Sequence, residues 1–171
     1  MAPEQAASLR FGRPLLLIDV DGVLNPFAAR ETREGFTLYQ LAGFPVRLNP
    51  AHGAALRALI DRFDLVWATT WEDKANALIG PRVGLPSLPV IHFDLRHHDG
   101  AKWPDVARFV GDRPVCWLED DPGRGEISWA QRRNNLIPTR IIKVSPYSGL
   151  MPSDLAVAER FYLRLSRGGA D

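Results

Sequence analysis

The chain of 171 residues suits one domain, and 46% hydrophobic with 24% charged residues is the balance of a folded globular protein rather than a disordered one. Lys plus Arg number 21 against 20 for Asp plus Glu, a net charge of +1, which excludes a global field drawing the protein onto nucleic acid or acidic membranes. The single Cys116 permits neither an internal disulfide nor a cysteine zinc cage, and no apolar run reaches the ~20 residues that span a bilayer.

Residues 1–12 are polar, Ala-rich and aperiodic, and read as a loose tail before a single domain over 13–171. They lack the basic-then-apolar order of a secretory signal, so a soluble, reducing, cytoplasmic setting is expected, with no membrane and no obligate protein partner. PLLLIDV (14–20) is continuously apolar and ends in acid and glycine, as a strand buried on both faces does. FTLYQL and FPVRL alternate about Ala42-Gly43 and predict a small hairpin projecting from the body. Asn49 caps a helix with Pro50 at its first position and Leu56, Leu59, Ile60 and Phe63 as its apolar stripe.

FDLVWATT (63–70) is a second buried strand, 73–79 a short helix closed by Gly80-Pro81, and LPVIHF (88–93) a third strand. Pro104 begins a helix that stops at Gly111, and PVCWLED (114–120) is a further apolar run ending in acid. A helix near 125–135, the strand TRIIKV (139–144) and a helix from its N-cap Ser153 to about Arg167 complete the chain. Strands alternating with helices predict an α/β fold, a doubly wound, Rossmann-like parallel sheet with helices on both faces.

Such sheets bind ligands outside the carboxyl ends of their strands, so the residues that end each strand matter most. These are Asp19-Val20-Asp21-Gly22, Thr69-Thr70 and Glu119-Asp120-Asp121, with Lys102 opening the helix before the last. Gathered carboxylates raise one another's pKa, and a hard divalent cation such as Mg²⁺ resolves the repulsion and suits a phosphate co-ligand. One Asp can then attack phosphorus while the other protonates the leaving oxygen and activates water, with Lys102 and a Thr hydroxyl on the equatorial oxygens.

DVDGVLNP (19–26), VWATTW (66–71), Lys102 and WLEDD (117–121) resemble, in order, the four motifs of the haloacid dehalogenase (HAD) superfamily. WATTWEDKAN, AKWPDV and WLEDD are similar to small bacterial members related to the HAD domain of Swiss Army knife RNA repair proteins. The resemblance implies an Mg²⁺-dependent phosphatase with Asp19 as nucleophile and Asp21 as general acid/base, the Asp21 backbone carbonyl also on the metal. It further implies that Thr69, or Thr70 if the motif is shifted by one, holds the phosphoryl group with Gly22 and Lys102. Asp120 would bind the metal with Glu119 beside it, where the commoner pair is Asp-Asp. The expected partner is a phosphorylated substrate: a small phosphoester, or a nucleic-acid or protein phosphate. The gaps between motifs leave no room for a cap domain, so the site should be open, its selectivity shaped by the hairpin at 36–48 and the loop at 94–101.

Two readings of other classes stand beside this one: a receiver-like phospho-Asp signalling module, and a catalytically silent binding protein on the same fold. Other features have plainer readings. His97-His98-Asp99 is a solvated loop rather than a metal site, and Gln131 to Asn135 a charged outer helix face. Trp67, Trp117 and Trp129 belong to the core, whereas Trp71 and Trp103 adjoin motifs and are expected to line the pocket.

Overall fold

The computed structural model describes residues 12–27 and 34–167; the tail expected at 1–12 lies outside them apart from Gly12. Four parallel strands, β1 (Leu15–Ile18), β4 (Asp64–Trp67), β5 (Val115–Glu119) and β6 (Thr139–Lys143), form one sheet in the order β4-β1-β5-β6. Alternate residues of β1 enter two separate cores, as the period-2 geometry of a strand requires. Leu16 and Ile18 pack with Leu56, Phe63, Ala158 and Phe161 on one face; Leu15 and Leu17 pack with Val106, Val110 and Trp129 on the other. Both faces are therefore covered, and the doubly wound fold is as expected.

Between β1 and β4 stand the antiparallel hairpin of β2 (Thr37–Leu41) and β3 (Phe44–Leu48), then α1 (Pro50–Arg57). The hairpin turns through Ala42 and Gly43, both at positive φ, the twist that two-residue hairpin loops favour. It is anchored as well as projecting, because Leu41, Val46 and Leu48 are buried in the core. Asn49 caps α1 through its side chain, which accepts from the Ala51 N–H at 2.9 Å. The other helices are α2 (Gly80–Val83), α3 (Trp103–Val110), α4 (Arg124–Asn134) and α5 (Pro152–Arg167). Among the described residues no cap domain interrupts the fold, and no helix is long and apolar enough to cross a membrane.

Three expectations are corrected. The strand at 88–93 shrinks to a single bridge, Val90 to Trp67, at the β4 edge. Pro86 and Pro89 lack the N–H a ladder needs, and the Asn76 side chain takes over the Leu88 backbone, donating to its carbonyl and accepting from its N–H. The helix at 73–79 is not closed by Gly80-Pro81. A π-helical turn over Ala75–Ile79 passes directly into α2, which ends at Gly84 in the left-handed region. Ser153 is not the cap of α5: Pro152 occupies the first turn, and Asp154 reaches back to the Met151 N–H at 2.8 Å.

Candidate active site

The order β4-β1-β5 puts the reversal of strand order between β1 and β5, and Asp19 and Glu119 sit at the carboxyl ends of those two parallel strands. Register pairs Ile18 with Leu118, so the acids that follow emerge side by side. Asp19 and Glu119 are each 4% exposed, and Lys102 bridges them: its Nζ lies 2.6 Å from Asp19 Oδ2 and 2.8 Å from Glu119 Oε2. Asp19 Oδ1 also accepts from the Val20 N–H at 2.7 Å.

Asp19, Glu119 and Asp120 each present a carboxylate oxygen, and these oxygens all lie within 4.8 Å of one another. Burial, and then the neighbouring Asp19 charge, push the Glu119 carboxyl from the ordinary 4.5 up to about 8, against the pull of Lys102. Burial raises the Asp120 carboxyl too. Burial alone would depress the Lys102 ammonium, but the charges of Asp19 and Glu119 outweigh it and hold it above its usual range. Among the described residues, Lys102 is thus the one cation paired with this group of three carboxylates, and it pairs with two of them, Asp19 and Glu119. That surplus of hard oxygen donors fits a divalent metal ion and is the donor chemistry Mg²⁺ takes.

Asp21 is held differently. Its Oδ1 accepts from Asn25 Nδ2 at 2.8 Å and its Oδ2 from the Trp71 indole N–H at 2.9 Å. Asn25 Oδ1 in turn accepts from the Arg47 N–H at 2.9 Å, tying the hairpin to the loop after β1. Gly22 has φ +73°, and a β-carbon there would meet Asp120 Oδ2 at 2.2 Å; the glycine is what lets the loop after β1 approach the end of β5.

Thr69 is fully buried, its Oγ1 near the Trp71 N–H at 3.3 Å, while Thr70 is exposed and faces a cleft. That cleft, about 540 Å³, runs between Asp21, Thr70 and Trp71 on one side and the hairpin residues Phe44 to Arg47 on the other. Trp71 lines it as expected. Trp103 does not: its ring packs close to Gly125 of α4, where a β-carbon would come within 2.9 Å. The 94–101 loop contributes no residue to the cleft; His97 pairs with Asp94 at 2.5 Å, and His98 approaches Asp105. Arg133 of the supposed outer face is tied inward, donating to Thr139 Oγ1 and to the carbonyls of Gly111 and Arg113.

Three contributors escape a reading of the sequence. Asn25 lies inside the first motif, and its spacing from Asp21 was the available signal. Trp71 was placed in the pocket but not against Asp21, fifty residues away. Glu126 is the third: buried on α4, its Oε1 accepts from the backbone N–H of Lys102 at 2.8 Å and of Trp103 at 3.2 Å, capping α3 from outside. No local pattern announces it.

Comparison with known proteins adds one match. The model of a family described as "HAD domain in Swiss Army Knife RNA repair proteins" fits residues 15–155, from the start of β1 into α5. No curated protein and no solved structure matches.

Proposed function

Because the chain belongs to the family of HAD domains in Swiss Army Knife RNA repair proteins, we propose that it is a Mg²⁺-dependent phosphohydrolase working through an aspartyl-phosphate on Asp19. Membership points to hydrolase or phosphotransferase-type chemistry with a divalent metal, and the acidic cluster provides a setting for one. The observation that supports the reading most is the placement of Asp19: at the carboxyl end of a central strand, 2.6 Å from the Lys102 ammonium and grouped with Glu119 and Asp120.

In this reading Asp19 attacks phosphorus and the ester P–O bond breaks. Asp21 gives its proton to the leaving oxygen, then takes one from the water that hydrolyses the acyl phosphate, which regenerates Asp19 and releases phosphate. Lys102 and the Thr69 hydroxyl hold the phosphoryl oxygens, with Thr70 and the loop at Gly22 beside them. Asp19, Glu119, Asp120 and the Asp21 carbonyl would hold the Mg²⁺, which supplies positive charge against the anionic oxygens. Since Lys102 already engages Glu119, Asp120 is the freer of that pair to bind metal directly. The reading extends to a cytoplasmic setting, in keeping with a buried free thiol at Cys116.

The test is hydrolysis of p-nitrophenyl phosphate. Turnover that needs Mg²⁺, stops with EDTA and is lost in Asp19→Asn supports the reading; full turnover by Asp19→Asn overturns it. The family's description concerns RNA repair, so 5′- and 3′-phosphorylated oligonucleotides belong in the substrate screen.

A further inference from the structure

We infer that the cleft beside Asp21 seats the terminal nucleoside of the substrate, its base against Phe44 and Trp71 and a neighbouring phosphate on Arg47 and Lys74. The inference rests on the role proposed above for Asp21. A group that protonates the leaving oxygen must face the leaving group, and Asp21 forms part of the wall of this cleft. Whatever Asp19 takes the phosphoryl group from therefore lies here.

The lining says what that is. Phe44 is 64% exposed and Phe27 60%, and both line the cleft, so together they present an apolar patch to it. Phe44 stands edge-to-face with Trp71 at 6.5 Å between ring centroids. Arg47 and Lys74 supply positive charge, and neither forms an ion pair with another described residue. Asp21 is the one acidic residue among the described residues of the lining. Exposed aromatic rings flanked by uncommitted cations are the chemistry that takes stacked bases and their phosphates, whatever the base. At about 540 Å³ the cleft falls within the range of small-ligand sites, and without a cap it stays open to a following strand.

The surface is also pre-set. The Trp71 indole is pinned to Asp21 Oδ2, and the hairpin strand carrying Phe44 is pinned through the Arg47 N–H to Asn25. Little order remains to be gained on binding, which favours affinity. A sugar phosphate brings no flat base to stack on the rings, and a phosphopeptide has no second phosphate at a fixed spacing for the two cations.

Binding to the Asp19→Asn variant, read by tryptophan fluorescence with Mg²⁺ present, tests this without turnover. The probes are AMP, ribose 5-phosphate, a phosphoserine peptide, and 5′- and 3′-phosphorylated oligonucleotides. A stacked base is expected to tighten AMP over ribose 5-phosphate by roughly 5- to 150-fold. Phe44→Ala should erase that ratio, and Arg47→Ala should weaken oligonucleotides and flatten their salt dependence. Oligonucleotides binding tighter than AMP would identify a strand end as the source of the nucleotide; equal affinity would identify the free nucleotide. AMP binding no better than ribose 5-phosphate, or a phosphopeptide binding tightest, would overturn the inference. Phe44→Leu, which keeps bulk without a ring, guards against a folding defect: it too should lose the ratio. If the phosphatase reading fails instead, Asp19→Asn keeps full turnover or no substrate is turned over at all, while these binding ratios survive.

Discussion

Gly22 and Asp120 meet across the site so closely that a β-carbon on the one would lie 2.2 Å from a carboxylate oxygen of the other. The contact joins the loop after β1 to the end of β5 and depends on a residue without a side chain. Gly22→Ala should therefore push Asp120 away and strain a backbone at φ +73°, a cost of about 1 kcal/mol or more. Mg²⁺ affinity by calorimetry should fall at least ten-fold. In an Asp120→Ala background the same change should cost little further affinity; a full additional loss would show that Gly22 acts elsewhere.

Lys102 bridges Asp19 and Glu119. Lys102→Met leaves two buried carboxylates facing each other and should destabilise the metal-free protein by about 3 kcal/mol or more in urea unfolding. Mg²⁺ should restore part of that stability but not catalysis.

Glu119 links stability to pH. With its carboxyl at about 8 in the folded, metal-free state and at the ordinary 4.5 when unfolded, folding takes up a proton between those values. This group's contribution is thus complete at low pH and is lost as pH rises through about 8. A bound cation removes the need for the proton, so the gain in Tm on adding Mg²⁺ should grow from pH 6 to pH 8. Glu119→Gln should flatten that trend, and a gain that shrinks with pH would contradict the assignment.

Glu126 accepts hydrogen bonds from the backbone N–H groups of Lys102 and Trp103. Glu126→Ala frees those two N–H groups and lets Lys102 drift, and kcat should drop ten-fold or more with a smaller change in KM. Glu126→Gln retains an acceptor and should recover most of the rate. Equal losses in both variants would point to the charge of Glu126 rather than its bonding.

The parts of the fold legible in the sequence are those fixed by local chemistry. Apolar runs ending in acid marked β1 and β5, one ending in Thr69-Thr70 marked β4, and Asn49-Pro50 marked the start of α1. Where tertiary contacts decide, the reading slipped. LPVIHF has a strand's composition, yet its prolines and the Asn76 side chain reduce it to one bridge. Asp19, Glu119 and Asp120 lie close together because parallel strands in register deliver their last residues to one edge, which strand ends in the sequence reveal. The groups that orient them, Trp71 on Asp21 and Glu126 on Lys102, come from distant segments whose approach only packing determines.

The account turns on phosphorus bonding to one carboxylate. Borohydride quenching during steady turnover of p-nitrophenyl phosphate reduces an acyl phosphate to an alcohol, which peptide mass spectrometry locates. Homoserine at position 19, absent without substrate or Mg²⁺, is the predicted result; reduction at a different carboxylate, or rapid turnover with position 19 unmodified, would contradict it.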